Sequence, residues 1–89
     1  MSPSPRIQRI AIIGLGLIGG SLGLAIKQNI PRVTIVGFDS PAVMRRARKR
    51  NAIDAAASSL ADAVSSADIV FMCTPVESIL ELLPAISRF

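Results

Sequence analysis

Short runs of consecutive apolar residues alternate along this chain with stretches in which apolar positions recur at helical spacing. Ile10-Ala11-Ile12-Ile13, Val33-Thr34-Ile35-Val36-Gly37-Phe38 and Ile69-Val70-Phe71-Met72-Cys73 are continuous runs. Runs of this kind mark strands of a parallel sheet buried on both faces. They predict strands over 7–13, 33–38 and 68–73. A helix is expected over 17–28, ended by Pro31. A second helix starts where Ser40 can cap it and Pro41 suits the first helical position. It runs to about Arg50, turns Val43, Met44 and Ala47 inward, and stops at Asn51. Residues 52–57 read as a short strand and 60–66 as a short helix. Thr74-Pro75 breaks the strand that ends at Cys73. A last helix begins near Val76, and Pro84 should kink or split it.

Right-handed crossovers between these elements give a Rossmann-type α/β fold, a partial doubly wound parallel sheet in the order 3-2-1-4. No fifth strand follows before Phe89. Chain direction reverses between strands 1 and 4, so the crevice outside their carboxyl ends is the expected ligand site. Gly14 to Gly19 line one side of it and Cys73-Thr74-Pro75 the other.

The run Gly14-Leu15-Gly16-Leu17-Ile18-Gly19 sits between the first strand and the first helix, the context in which such a motif can hold the pyrophosphate of a dinucleotide. Gly14 permits the tight turn out of the strand. Gly16, lacking a Cβ, lets the backbone approach the pyrophosphate, and Gly19 lets helix and strand pack closely. The helix start offers free N–H groups to the anion. Glycines at 19, 20 and 23 weaken the helix unless it lies close to the sheet or a ligand. Asp39 ends the second apolar run about twenty residues past Gly19, the spacing of a group that takes the adenosine ribose hydroxyls. A carboxylate there favours NAD over NADP, whose 2′-phosphate it repels by about 1 kcal/mol in water and about 4 near a protein surface. The plainer alternative is a tight strand-to-helix turn with Asp39 solvated or capping.

Composition narrows the picture. The chain has 89 residues, so one domain is the ceiling; apolar residues are 51% and aromatics 3%, so the core is aliphatic. No stretch is long enough for a membrane span, and the first six residues lack the apolar segment of a signal peptide and read as a disordered lead-in. Cys73 is the single cysteine and there is no histidine. Disulfides and cysteine- or histidine-based metal sites are therefore excluded within these residues, and a cytoplasmic, reducing location fits. Cys73, in an apolar strand, reads as packing rather than as a nucleophile. The net charge is +4, and five of the ten basic residues fall in Arg45-Arg46-Ala47-Arg48-Lys49-Arg50. That run is either a patch for nucleic acid or the 2′-phosphate of NADP, or a solvated helix face with cations near the helix C-terminus. No aromatic residue interleaves with it for base stacking, which favours the solvated face and no nucleic acid. Asp54, Asp62 and Asp68 read as solvated or capping.

Ile13-Gly14-Leu15-Gly16-Leu17-Ile18-Gly19-Gly20-Ser21-Leu22 resembles the start of the prephenate/arogenate dehydrogenase family. The likeness continues in Val36-Gly37-Phe38-Asp39-Ser40, Ala52-Ile53-Asp54 and Ala67-Asp68-Ile69-Val70-Phe71-Met72-Cys73-Thr74-Pro75-Val76. It implies an NAD- or NADP-dependent oxidoreductase of tyrosine biosynthesis: prephenate or arogenate gives a hydride to the nicotinamide and loses carbon dioxide. It further implies a homodimer, joined through a helical domain that follows the nucleotide-binding domain. Gly14, Gly16 and Gly19 would hold the pyrophosphate with N–H groups of Leu17 and Ile18, Asp39 would take the adenosine ribose, and Thr74 and Pro75 would lie by the nicotinamide-side ribose. The family's catalytic histidine and substrate-binding arginine lie later in the sequence. Residues 7–89 are thus expected to be the N-terminal part of a dinucleotide-binding domain, binding cofactor but inactive alone, with the edge of the fourth strand bare and prone to aggregation. Two other classes remain open. One is a non-catalytic dinucleotide-sensing module; the other is a basic module acting through 45–50. Within the enzyme class, the alternative is another dehydrogenase with the same glycine turn.

Overall fold

A computed structural model describes residues 6–74 together with 83, 84 and 86. Each continuous apolar run becomes a strand: β1 (Arg9–Ile13), β2 (Thr34–Phe38) and β4 (Ile69–Met72), with the two-residue β3 (Ala55–Ala56) between the last two in sequence. The helices are α1 (Leu17–Asn29), α2 (Pro41–Lys49) and α3 (Leu60–Val64). All strand pairs are parallel and the sheet order is β3-β2-β1-β4, as the pattern predicts. Register runs from Arg9↔Thr34 to Ile13↔Phe38 on one side of β1, and from Ile10↔Ile69 to Ile13↔Met72 on the other.

Successive side chains of a strand point to opposite faces, so the core divides in two. Ile10, Ile12, Val33 and Ile35 pack with Ala47 and Ile53, and Leu22, Ile26, Val43 and Met44 close over them; this is the face under α1 and α2. Ile13 and Val36 pack with Ala63 and Val64 of α3 on the other face. Ile12, Ile13, Ile35 and Val33 are almost wholly buried, each contributing about 1.5–3 kcal/mol of transfer free energy.

Several expected boundaries shift, for local reasons. The predicted third strand over 52–57 contracts to Ala55–Ala56, because Ala52 donates its N–H to the Ala47 carbonyl at 2.9 Å and closes the end of α2, while Ile53 fills the core. The first strand begins at Arg9 rather than residue 7, and Ile7 is exposed. The third helix ends at Val64, with the Ser65 N–H bonded to Ala61. The fourth strand spans 69–72, although the N–H groups of Asp68 and Cys73 extend its bonding to β1 at both ends. The cap of α2 is as expected: Ser40 Oγ accepts the Val43 N–H and Pro41 opens the helix. Asn51, at φ +61°, is the left-handed stop.

The carboxylates expected to be solvated or capping are exposed, and two of them also stitch elements together. Asp54 Oδ2 accepts the Ile35 N–H at 2.7 Å and the Lys27 ammonium at 3.0 Å; Lys27 also donates to the Pro31 and Val33 carbonyls. Asp68 Oδ2 accepts from the Gln8 and Arg9 amides at 2.8 and 2.9 Å, and these bonds lower its pKa. Asp62 remains local, accepting the Ser58 N–H at the start of α3. The start of the predicted last helix, Pro75 of the expected strand break and residues 1–5 of the six-residue lead-in lie outside the described residues; Leu83, Pro84 and Ile86 are helical.

Candidate functional site

The carboxyl ends of β1, β2 and β4 converge on one bend. Gly14 leaves β1 with φ +92°, a left-handed conformation that side chains resist, and donates its N–H to the Phe38 carbonyl at 2.9 Å. A Cβ on Gly14 would lie 2.7 Å from Thr74 Cγ2 and 2.9 Å from the Thr74 nitrogen, so the chain leaving β4 packs straight onto the turn. The Cys73 N–H holds the Ile13 carbonyl at 2.8 Å. Gly14, Asp39, Cys73 and Thr74, distant in sequence, thus share one end of the sheet.

The next residue ties the bend to β2. The Leu15 N–H donates to Asp39 Oδ2 at 2.7 Å, and the Ser40 N–H donates to Asp39 Oδ1 at 2.6 Å. Both oxygens of this half-buried carboxylate are engaged by backbone, and each keeps accepting capacity for a further donor.

Gly16 is the N-cap of α1, at φ −69° and ψ −155°; no side chain caps the helix and no acidic residue sits in its first turn. The first intrahelical bond runs from the Gly20 N–H to the Gly16 carbonyl at 2.8 Å. The N–H groups of Leu17, Ile18 and Gly19 therefore lack helical acceptors and carry the positive end of the helix dipole. The Leu17 and Ile18 side chains point to solvent, 87% and 73% exposed.

The glycines of the motif divide the work. At Gly19 a Cβ would fall on the Gly14 carbonyl oxygen and lie 3.3 Å from Cys73 Cβ, so Gly19 exists for close packing of helix, turn and β4. At Gly16 a Cβ would meet nothing within 4 Å. Nothing in the fold requires glycine at 16; the space beside it is left for something else. Gly23 has a packing role of its own, since its Cβ would fall on the Ala52 carbonyl.

Thr74 Oγ1 is buried without a hydrogen-bond partner among the described residues. Such an orphan is uncommon in a finished interior. Cys73 is half-buried, its Cβ lies beside Gly19, and burial pushes its thiol pKa up, so the thiol stays protonated. Pro75, the remaining expected site residue, lies outside the described residues. Sequence reasoning passed over Leu15, whose contribution is a main-chain amide and carries no side-chain signal. The arginines and lysine of 45–50 are exposed, as a solvated face requires, though Arg46 and Arg50 border a cavity beside Gly16. Among the described residues no group of three or more His, Cys, Asp or Glu could hold a metal ion, and no helix is long and apolar enough to cross a membrane.

A strand-turn-helix with an uncapped helix start, an open glycine and an adjoining carboxylate can bind a diphosphate and a ribose together. Comparison with known proteins points the same way. Residues 22–88 match the family described as prephenate dehydrogenase, nucleotide-binding domain. The chain is 41% identical over 83 residues to prephenate dehydrogenase of Lactococcus lactis, covering 93% of this chain and 23% of the relative. It is 44% identical over 72 residues to cyclohexadienyl dehydrogenase of Zymomonas mobilis, covering 80% and 25%. The crystal structure of prephenate dehydrogenase from A. aeolicus in complex with hydroxyphenyl propionate and NAD+ superposes with a TM-score of 0.80 at 28% identity, covering 90% of this chain and 29% of that one. The chain thus spans about a quarter of the length of these relatives. With three-quarters of its residues inside the matched region and the sheet order reproduced, the chain belongs to the prephenate dehydrogenase nucleotide-binding domain family.

Proposed function

We propose that the bend between β1 and α1 binds NAD+, and that the chain is the cofactor-holding part of an oxidoreductase acting on prephenate or arogenate. The observation that carries the reading is the free space at Gly16 in front of uncapped amides. Gly14, Gly16 and Gly19 would hold the pyrophosphate, with the Leu17 and Ile18 N–H groups donating to it. Asp39 takes the adenosine ribose hydroxyls with the lone pairs its backbone bonds leave free. Thr74, with its unpartnered hydroxyl, and Pro75 serve the nicotinamide-side ribose, and Cys73 backs the turn. These residues fit the cofactor: an orphaned hydroxyl and open space beside Gly16 adjoin the same turn. Bound NAD+ accepts the hydride when the substrate loses carbon dioxide.

The 89 residues contain no histidine, so the acid–base group that the resemblance implies is supplied by other residues of the enzyme, as is the substrate arginine. Binding and orientation are this segment's share. A homodimer in the cytoplasm is the setting the family resemblance supports.

Titration of NAD+ into the chain, followed by amide NMR and calorimetry, tests the proposal. One site is expected, with the largest shifts at the amides of residues 14–19, 39 and 74. Shifts centred elsewhere, or no binding, would overturn it.

A further inference from the structure

Gly37 lies buried in β2, two residues before Asp39. Its backbone is held on both sides: it pairs with Ile12 of β1 and Ala56 of β3, and its carbonyl accepts the Ala57 N–H at 2.9 Å. Glycine inside a strand weakens it and often marks a close approach by another group. The backbone here is not left-handed, so conformation gives no reason for glycine. Space does. A Cβ on Gly37 would lie 2.7 Å from Leu15 Cδ1 and 2.7 Å from Ile53 Cγ2. Leu15 is the residue whose N–H donates to Asp39 Oδ2.

We propose that Gly37 is a positioning residue for the nucleotide turn: its bare face seats the Leu15 side chain and so aims the Leu15 N–H at Asp39. The inference rests on the dinucleotide reading above and adds to it a residue buried beneath the site. A methyl group at 37 cannot be absorbed by β2, which is bonded to both neighbouring strands, so Leu15 or Ile53 has to move. Both are buried, but Leu15 also lines a cavity of about 290 Å³ beside Gly16, and Ile53 does not. Leu15 therefore yields toward that cavity. Its side chain then crowds the space beside Gly16, and its amide turns away from Asp39. Asp39 keeps only the Ser40 N–H and loses its tie to the turn.

Two double variants separate the two contacts. G37A/I53L removes the Ile53 branch and keeps the clash with Leu15; G37A/L15V removes Leu15 Cδ1 and keeps the clash with Ile53. Each is compared with its own parent, I53L or L15V. Calorimetry reads NAD+ affinity, the amide proton shift of residue 15 in the free chain reads its hydrogen bond, and melting curves read the fold. Relative to I53L, G37A/I53L should weaken NAD+ about ten-fold or more and move the residue-15 amide toward an unbonded shift. Relative to L15V, G37A/L15V should bind within about two-fold and keep that amide in place, although it melts lower. Equal NAD+ losses in the two pairs would reduce the effect to stability and overturn the proposal. So would binding by G37A/I53L at the affinity of I53L, or failure of G37A/I53L to fold, which would make Gly37 a residue of the core alone. Failure of the wild type to bind NAD+ would instead overturn the cofactor reading, and this proposal with it.

Discussion

Gly16→Val separates the fold from the ligand. The backbone at 16 has φ −69°, which valine adopts, and a Cβ there meets nothing within 4 Å. The penalty to the fold is confined to replacing glycine at an N-cap by an apolar residue, about 0.5–1 kcal/mol. For a domain of this size that lowers Tm by no more than about 8 °C. Binding should respond far more strongly. The valine branches occupy the approach to the Leu17 and Ile18 N–H groups, and each hydrogen bond to a charged partner is worth about 1.5–3 kcal/mol. Losing two gives about 3–6 kcal/mol, or roughly 10²- to 10⁴-fold in Kd for NAD+. Calorimetry well below both melting temperatures reads the affinity, and circular dichroism reads the fold. If the variant is folded and binds NAD+ within a few-fold of wild type, the pyrophosphate does not lie against Gly16. If it fails to fold, the space at Gly16 is not open, and the structural premise goes with it.

Other substitutions should act on the fold alone. Gly23→Ala drives a methyl group into the Ala52 carbonyl, and the overpacking, about 1–3 kcal/mol, should outweigh the helix-propensity gain of about 1; a raised Tm would contradict this. Asp54→Ala leaves the half-buried Ile35 N–H unpaired and should lose about 1–3 kcal/mol in urea unfolding, whereas Lys27→Met should lose clearly less; equal losses would put the weight on the ion pair instead. Asp68 has its pKa lowered in the fold, mainly by the Gln8 and then the Arg9 amide. Its stabilisation is therefore present above the unfolded carboxyl pKa and disappears as pH falls through the lowered folded value. Asp68→Asn should flatten the acid side of a Tm-versus-pH curve and leave the alkaline side unchanged; an unaltered acid slope would refute it.

The strands were legible because each is a continuous apolar run, and a parallel sheet with two covered faces demands that pattern. The start of α2 was legible because Ser40-Pro41 is a local signal, and its end because Asn51 tolerates a left-handed backbone. What escaped was non-local. The length of β3 depends on Ala52 closing α2, and the stitching by Asp54 and Asp68 joins residues 19 and about sixty positions apart. At the bend, the residue types announced the turn, the anion site and the division between Gly16, left open, and Gly19, which packs; what they did not announce is that Gly23 packs on the Ala52 carbonyl, a contact set by where α1 lies against the end of α2. The basic run at 45–50 looked uniform in sequence, and only the placement of α2 against α1 singles out Arg46 and Arg50.

The bond from Leu15 to Asp39 has a bearing on protein engineering. Exchanging Asp39 for a small neutral residue would remove the charge that repels the 2′-phosphate of NADP. Here that exchange also unfastens the nucleotide loop from its mooring, so a small apolar replacement should impair use of both coenzymes alike. A successful switch has to keep an acceptor at position 39, such as asparagine, and recruit its selectivity from a neighbouring helix.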